Sequence, residues 1–296
     1  MNFRTDLALE RREYIEKKEI DGIICETKNE NEVKVTTITV INQNGEKVLG
    51  KPQGKYITLE VKPFTKSADI SEDCIEVLSR EINKLLPKEG AVLVAGLGNE
   101  KITPDALGPK CISLLLATRH INDELASSIG LGKLRSVAGI SPGVLGRTGI
   151  ETAEIIDGIV KKINPAAVII IDALASRKLS RLGTTVQMTD SGISPGSGVG
   201  NMRSAIDKNT LGVPVVAIGV PTVVDGATMA CDLLEKQGVD ISKLENESEF
   251  RKQGSMMVTP KEIDLVIERA AQFIALGINK AMQPNLSAED ILAIVK

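Results

Sequence analysis

Two aspartates stand where a pair of carboxylates could do acid–base chemistry. Asp105 follows the apolar run of residues 91–99, and Asp172 closes the apolar run of residues 167–171. Runs this apolar and this rich in β-branched residues read as strands buried on both faces of a parallel sheet. Ligands of open α/β sheets bind outside the carboxyl ends of such strands. Two carboxylates delivered there from different strands can share a proton and act as acid and base. Each also has a plainer reading. Asp105 in the first turn of a helix favours the helix dipole, and Asp172 can cap the helix that follows its strand.

The elements that must position them follow from periodicity. Residues 70–86 place Ile70, Cys74, Val77, Leu78, Ile82 and Leu85 at helical spacing, ahead of a strand at 91–96. Thr103 reads as an N-cap and Pro104 as the first position of a helix running towards His120. Residues 135–149 read as turn-rich. A helix over 150–163 carries Ile155, Ile156, Ile159, Val160 and Ile163 on one face. Strands at 166–171, 184–189 and 213–218 follow, with a glycine-rich loop at 192–201 and a helix from 224 to 236. Residues 237–255 are polar and read as a mobile loop. Thr259 to Glu262 reads as a capping box for a long C-terminal helix, and Ser287 to Asp290 as the cap of a short last one. Near the N-terminus, residues 7–18 are charged and helix-favouring. Residues 33–41 read as a strand, Asn44-Gly45 as the turn after it, and residues 56–61 as its hairpin partner. The pattern predicts a doubly wound α/β fold with a mostly parallel sheet. A small antiparallel β element over residues 20–62 precedes it.

Composition narrows the chemistry. A chain of 296 residues, 42% of them hydrophobic, can bury a large core. The net charge of −3 gives no reason to expect nucleic acid or an anionic membrane as a partner. The first residues lack the apolar region of a signal peptide, and no run reaches the roughly 18 apolar residues of a membrane span. The expectation is a soluble, cytoplasmic protein. The one histidine, His120, excludes an H-E-x-x-H helix and multi-histidine metal sites. The four cysteines, at 25, 74, 111 and 231, form no C-x-x-C pair, and Cys111 reads as core. With no Trp, four Phe and two Tyr, the chain has little for base stacking.

Other motifs compete less well. Gly96-Leu97-Gly98 follows a strand as in a dinucleotide fingerprint, but Lys101 stands where the third glycine should be. A tight turn that needs glycine is the better reading. Ser141 and Ser194 each sit in G-x-S-x-G, yet proline follows both and the only histidine precedes both. These read as loops lining a cleft rather than nucleophile elbows. Asp190-Ser191-Gly192 matches the triplet of pepsin-like proteases, which need two copies; here it reads as a polar turn. The amides of residues 192–201 could cradle phosphate. A substrate-contacting loop stands open beside that, because the P-loop lysine is missing.

Long strings of the chain resemble one family. Residues 4–8 (Arg-Thr-Asp-Leu-Ala), 99–109, 141–152, 171–177, 195–201, 211–225 and 257–262 are similar to the spore germination proteases. The resemblance implies an atypical aspartic endopeptidase of endospore-forming bacteria, with a core like that of the hydrogenase maturation proteases. It implies that the enzyme begins the degradation of small acid-soluble spore proteins during germination. The family's catalytic aspartates fall on Asp105 and Asp172. The family is made as a zymogen that cuts itself between an aspartate and a leucine, here Asp6-Leu7. Residues 1–6 are then a candidate propeptide, and residues 7–296 a single protease domain. Family substrates share the acidic–aliphatic–Ala character of that bond, so the N-terminus is a substrate in cis. The resemblance also implies a homotetramer in the spore core, with no direct nucleic-acid contact and no membrane. No cofactor is expected, and no metal site is carried over, since His120 reads as mid-helical.

In this scheme one aspartate is ionised and takes a proton from water. The other, protonated, polarises the carbonyl and then protonates the leaving amine. Which one holds the proton is left open, since the pair titrates as a unit. Gly196, Ser197, Gly198, Gly200 and Asn201 are candidate substrate-binding residues, whose amides could stabilise an oxyanion. The alternatives are a peptidase whose carboxylates hold a metal, a non-catalytic binder of spore proteins and, more remotely, a dinucleotide-linked enzyme.

Overall fold

Among the described residues, the apolar runs form the middle of a nine-stranded sheet. The structure, a computed structural model, describes residues 4–15, 19–66, 71–128, 130–200, 203–239 and 256–295. The strands are β1 (Ile23–Glu30), β2 (Val33–Val40), β3 (Gly54–Glu60), β4 (Val92–Gly96), β5 (Val137–Ile140), β6 (Ala167–Ser176), β7 (Thr185–Thr189), β8 (Val215–Asp225) and β9 (Met257–Val258). They lie in the order β1-β2-β3-β7-β8-β6-β4-β5, with β9 paired to the end of β8. Strands β8, β6, β4 and β5 run parallel. Strands β1, β2, β3 and β7 continue the same sheet in antiparallel pairs. The doubly wound α/β fold with N-terminal antiparallel strands is as the sequence predicts. The antiparallel element is joined to the rest through the β3–β7 ladder, in which Tyr56 pairs with Thr189 and Glu60 with Thr185.

Both faces of the parallel strands are buried, which is why they read as unbroken apolar runs. In β6, Ile169 and Ile171 join the core on one face, while Val168 and Ile170 join that on the other. The helices are α1 (Ala8–Tyr14), α2 (Gln43–Leu49), α3 (Glu72–Leu85), α4 (Leu107–Ser113), α5 (Asp123–Ser128) and α6 (Leu145–Thr148). They continue with α7 (Thr152–Ile163), α8 (Lys208–Leu211), α9 (Gly226–Lys236), α10 (Ile263–Met282) and α11 (Ala288–Val295). Residues of α3, α4 and α10 supply the first core, and Phe64 meets Phe273 of α10 with ring centroids 5.8 Å apart. Helix α7 covers the opposite face through Ile156 and Val160. Ala8 and Leu9 of α1 pack on Ile38, Val40, Leu49 and Tyr56. Among the described residues, no helix is long and apolar enough to cross a membrane.

Several local expectations are corrected. Asn44-Gly45 is not a hairpin turn: Asn42 caps α2, its Oδ1 accepting from the Gly45 N–H at 2.9 Å. The two strands still pair as expected, with a helix between them. Helix α1 covers Ala8–Tyr14 and is capped at Ile15, and residues 16–18 of the helix-favouring stretch 7–18 lie outside the described residues. Thr103–Asp105 forms a single 3-10 turn, and α4 stops at Ser113, so His120 lies in an exposed turn rather than mid-helix. The turn-rich stretch contains β5, hidden by its length of 4 residues. Thr259 to Glu262 makes no capping box: Glu262 holds the N-cap position of α10 without a side-chain bond. The Ser287–Asp290 cap does form, each side chain accepting from the other residue's main-chain N–H. Cys111 is buried in the core, and burial pushes its thiol pKa up. Residues 240–255 of the predicted mobile loop lie outside the described residues.

Candidate active site

Asp105 reaches the site through a turn built for it. After β4 the chain bends at Gly98, whose φ is +111°. The 3-10 turn that carries Asp105 then folds back, and Asp105 Oδ2 accepts from the Asn99 N–H at 2.8 Å. This bond replaces the helix-dipole role read from sequence. Thr222 Oγ1 on β8 donates to the Pro104 carbonyl at 2.8 Å, fixing the turn to the sheet. The Leu97 N–H donates to the Ile171 carbonyl at 2.8 Å, which ties the end of β4 to the residue before Asp172.

Asp172 is not at a strand end, as the sequence reading had it. Strand β6 continues to Ser176, held by β8 across an irregularity between Leu174 and Ala175. Asp172 nevertheless marks the carboxyl edge of the central ladder, since the pairing of β4 with β6 ends at Gly96 and Ile171. Nor does it cap a helix: its Oδ1 accepts from the Ala173 N–H at 3.0 Å.

The two aspartates line one cavity of about 390 Å³, and Asp6 lines it with them. Burial raises the carboxyl pKa of Asp172 well above the ordinary value, and the charges of Asp105 and Asp6 add to this. Burial also raises Asp105, against the opposing bond from Asn99. Asp172 is the more enclosed of the two. A carboxyl whose pKa is raised by folding costs stability as pH climbs above the unfolded value. Asp172→Asn removes that cost and keeps an oxygen for the Ala173 N–H. The variant is expected to be about 1–2 kcal/mol more stable than the parent near pH 7, a common size for a stabilising substitution. The gain should fade towards pH 3. Urea midpoints across this range check it; a gain that grows on acidification contradicts it.

The N-terminal segment lies in the cleft. The Asp6 N–H donates to the Ala175 carbonyl, and the Ala175 N–H donates to Asp6 Oδ2, both at 2.9 Å. Ser197 Oγ donates to Asp6 Oδ1 at 2.9 Å. Gly198 packs so closely that a Cβ there would meet Asp6 Oδ2 at 2.1 Å. Gln187 Nε2 donates to the Asp6 carbonyl at 3.0 Å, while its Oε1 accepts from the Ala8 N–H at 2.7 Å. Glu10 is buried and accepts from the N–H groups of Arg177 and Lys178, at 2.6 and 2.9 Å. Arg4 pairs with Asp225 at 3.1 Å. The Asp6-Leu7 bond therefore lies beside β6, with Leu7 fully buried.

The glycine-rich loop is split in its contacts. Gly196 lines the aspartate cavity, Ser197 and Gly198 touch the Asp6 side chain, and Gly200 lies against Arg4. Asn201 lies outside the described residues. The two G-x-S-x-G loops do line the cleft: Gly143 and Gly196 face the smaller cavity, and Ser194 a larger one of about 680 Å³. Asp190 sits in a bend and accepts from the Lys55 N–H at 2.7 Å. Among the described residues, no group of three or more His, Cys, Asp or Glu side chains is arranged to hold a metal ion.

A family model described as germination protease matches residues 4–252. The chain belongs to the germination protease family. Germination proteases of two organisms are similar over nearly their whole length. That of Caldanaerobacter subterraneus is 45% identical over 98% of this chain and 97% of its own. That of Priestia megaterium is 36% identical over 97% and 95%. Membership makes the chain a protease of spore germination. Among solved structures, a nickel–iron hydrogenase maturation protease from Thermococcus kodakarensis matches 67% of this chain and 98% of its own, at 18% identity and a TM-score of 0.35.

Sequence reasoning about this germination protease missed Gln187, Glu10 and the amides at the end of β6. Gln187 had one available signal: it is the polar centre of a short strand, between Val186 and Met188.

Proposed function

We propose that the chain is an aspartic endopeptidase that cleaves small acid-soluble spore proteins at acidic–aliphatic–Ala sites, and that it first cuts its own Asp6-Leu7 bond. The observation that carries this reading is that an acid–Leu–Ala segment of the chain itself lies against the cavity shared by Asp105 and Asp172. Asp105 acts as the base that takes a proton from water. Asp172, protonated, polarises the carbonyl and later protonates the leaving amine. Two like charges in one buried site cannot both ionise cheaply, so one proton is shared. The raised pKa of Asp172 supports its part as the acid.

Substrate recognition follows the contacts of Asp6. An ionised carboxylate offers acceptors only, and the Ala175 N–H and the Ser197 hydroxyl each donate to one of its oxygens, so these contacts favour an acid. The snug approach of Gly198 leaves no room for a larger loop residue. Residues 1–6 are the propeptide in this reading, and residues 7–296 the protease. The family resemblance extends it to a homotetramer in the spore core, a state that sedimentation of the purified protein measures.

The test is to incubate the purified full chain and sequence its N-terminus. A new terminus at Leu7 is expected, formed with first-order kinetics independent of protein concentration. Asp6→Ala is expected to slow it about 100-fold, since it removes two charge-assisted hydrogen bonds at about 1.5–3 kcal/mol each, partly offset by water. A stable Asp6-Leu7 bond, together with no cleavage of an added acidic–Leu–Ala peptide, would overturn the reading.

A further inference from the structure

Gln187 has no part in the chemistry above, yet it touches the bond in question. It lies at the centre of β7, paired with Thr58 of β3 and Gly219 of β8. Val186 and Met188 on either side of it enter the core on one face of the sheet. Side chains alternate along a strand, so Gln187 projects to the other face, where residues 5–8 lie. It is 7% exposed. A primary amide offers a donor and an acceptor together, and Gln187 uses both. Its N–H holds the carbonyl of the Asp6-Leu7 peptide, and its oxygen holds the N–H of the next peptide. The glycine-rich loop, by contrast, meets Asp6 through its side chain.

We propose that Gln187 is a second donor to the reacting carbonyl beside Asp172, and that its Nε2–H stabilises the oxyanion formed at the Asp6 carbonyl. This rests on Asp6-Leu7 being the scissile bond. The oxygen of a water molecule bonds to the Asp6 carbonyl carbon while Asp105 takes one of the water's protons. The π pair of the C=O moves onto its oxygen, where the Gln187 N–H meets the charge. The C=O then re-forms and the C–N bond breaks, and the Leu7 nitrogen receives the Asp172 proton. The pair begins and ends with one proton. A donor already aimed at this oxygen need not reorganise as charge develops, which is what makes such donors effective.

Two variants separate this role from simple docking. Gln187→Glu keeps an acceptor for the Ala8 N–H and loses the donor to the carbonyl; Gln187→Met loses both. Both are measured near pH 7 in the full chain, by the rate of Leu7 terminus formation and by kcat and KM on an acidic–Leu–Ala peptide. Gln187→Glu is expected to lower kcat about 100-fold, the usual cost of an oxyanion donor, with KM within about threefold of the parent. Gln187→Met is expected to lower kcat similarly and to raise KM as well. A kcat within about threefold of the parent in either variant, or a loss confined to KM, overturns the proposal. Thermal melts set the assay temperature, and if one variant melts early the other carries the same kcat comparison. Asp172→Asn runs beside them. If it cleaves normally, the aspartate reading fails whatever Gln187 does. If it is inactive while both Gln187 variants work, only the Gln187 assignment fails.

Discussion

Asp105→Asn and Asp172→Asn are each expected to lower kcat by about 10²–10⁴-fold, the range for loss of a positioned acid or base. Asparagine keeps the shape of each side chain and an oxygen for the bonds from Asn99 and Ala173. The loss should therefore appear in the chemical step and not in folding or KM. The double variant should be little worse than either single one, because residues that act as a unit are not additive. The pH profile carries a further expectation. The proposed mechanism needs Asp105 ionised and Asp172 protonated. Both carboxyls are raised by burial. The acid limb then belongs to the first deprotonation of the pair and the alkaline limb to the second, both shifted upward from the ordinary carboxylate range. Cleavage of an acidic–Leu–Ala peptide and of the chain's own Asp6-Leu7 bond measures both effects. Near-parental kcat in either single variant contradicts the catalytic assignment.

Gly98→Ala is expected to damage both stability and activity, by about 2–4 kcal/mol and about 100-fold. Two causes combine. The backbone at Gly98 has φ +111°, a conformation that alanine rarely adopts. In addition, a Cβ would stand 2.0 Å from the Asp105 carbonyl oxygen, so the turn that presents the carboxylate must move. Gly212→Ala is the control. It has φ +72°, but nothing lies within 4 Å of the added Cβ. It should cost only about 1 kcal/mol and leave kcat alone. Urea denaturation and peptide kinetics on the two variants make the comparison; equal effects would show that strain, and not displacement of Asp105, is responsible.

Much of this was legible from residues alone, and the gaps have physical causes. The unbroken apolar runs betrayed the parallel strands because both faces of β4, β6 and β8 are covered. Gly96-Leu97-Gly98 read as a tight turn that needs glycine; Gly96 closes β4 instead, and the chain bends at Gly98 with φ +111°. Strand β6 outran its apolar run because β8 pairs with it through Ser176, and pairing is not a property of one segment's composition. The same is true of β8, which runs on to Asp225. The helix expected from Thr103 to His120 is shortened to α4, and its first turn is held in another shape by a local bond from Asn99 and a tertiary one from Thr222. Gln187 and Glu10 escaped notice because their partners are about 170–180 residues away in the chain. Main-chain donors such as Arg177 N–H and Lys178 N–H leave no mark in residue type.

That separation has a consequence for the order of events during synthesis. Residues 4–10 leave the ribosome well before the strands that receive them, β6 and β7, which end at Ser176 and Thr189. At about 5–20 residues per second, roughly 10–40 s pass before the receiving surface exists. The segment must wait, undocked, while its own site is translated. The Asp6-Leu7 bond thus cannot lie beside Asp105 and Asp172 until the central sheet has been completed, and on the proposed self-cleavage its scission would mark a chain that has folded.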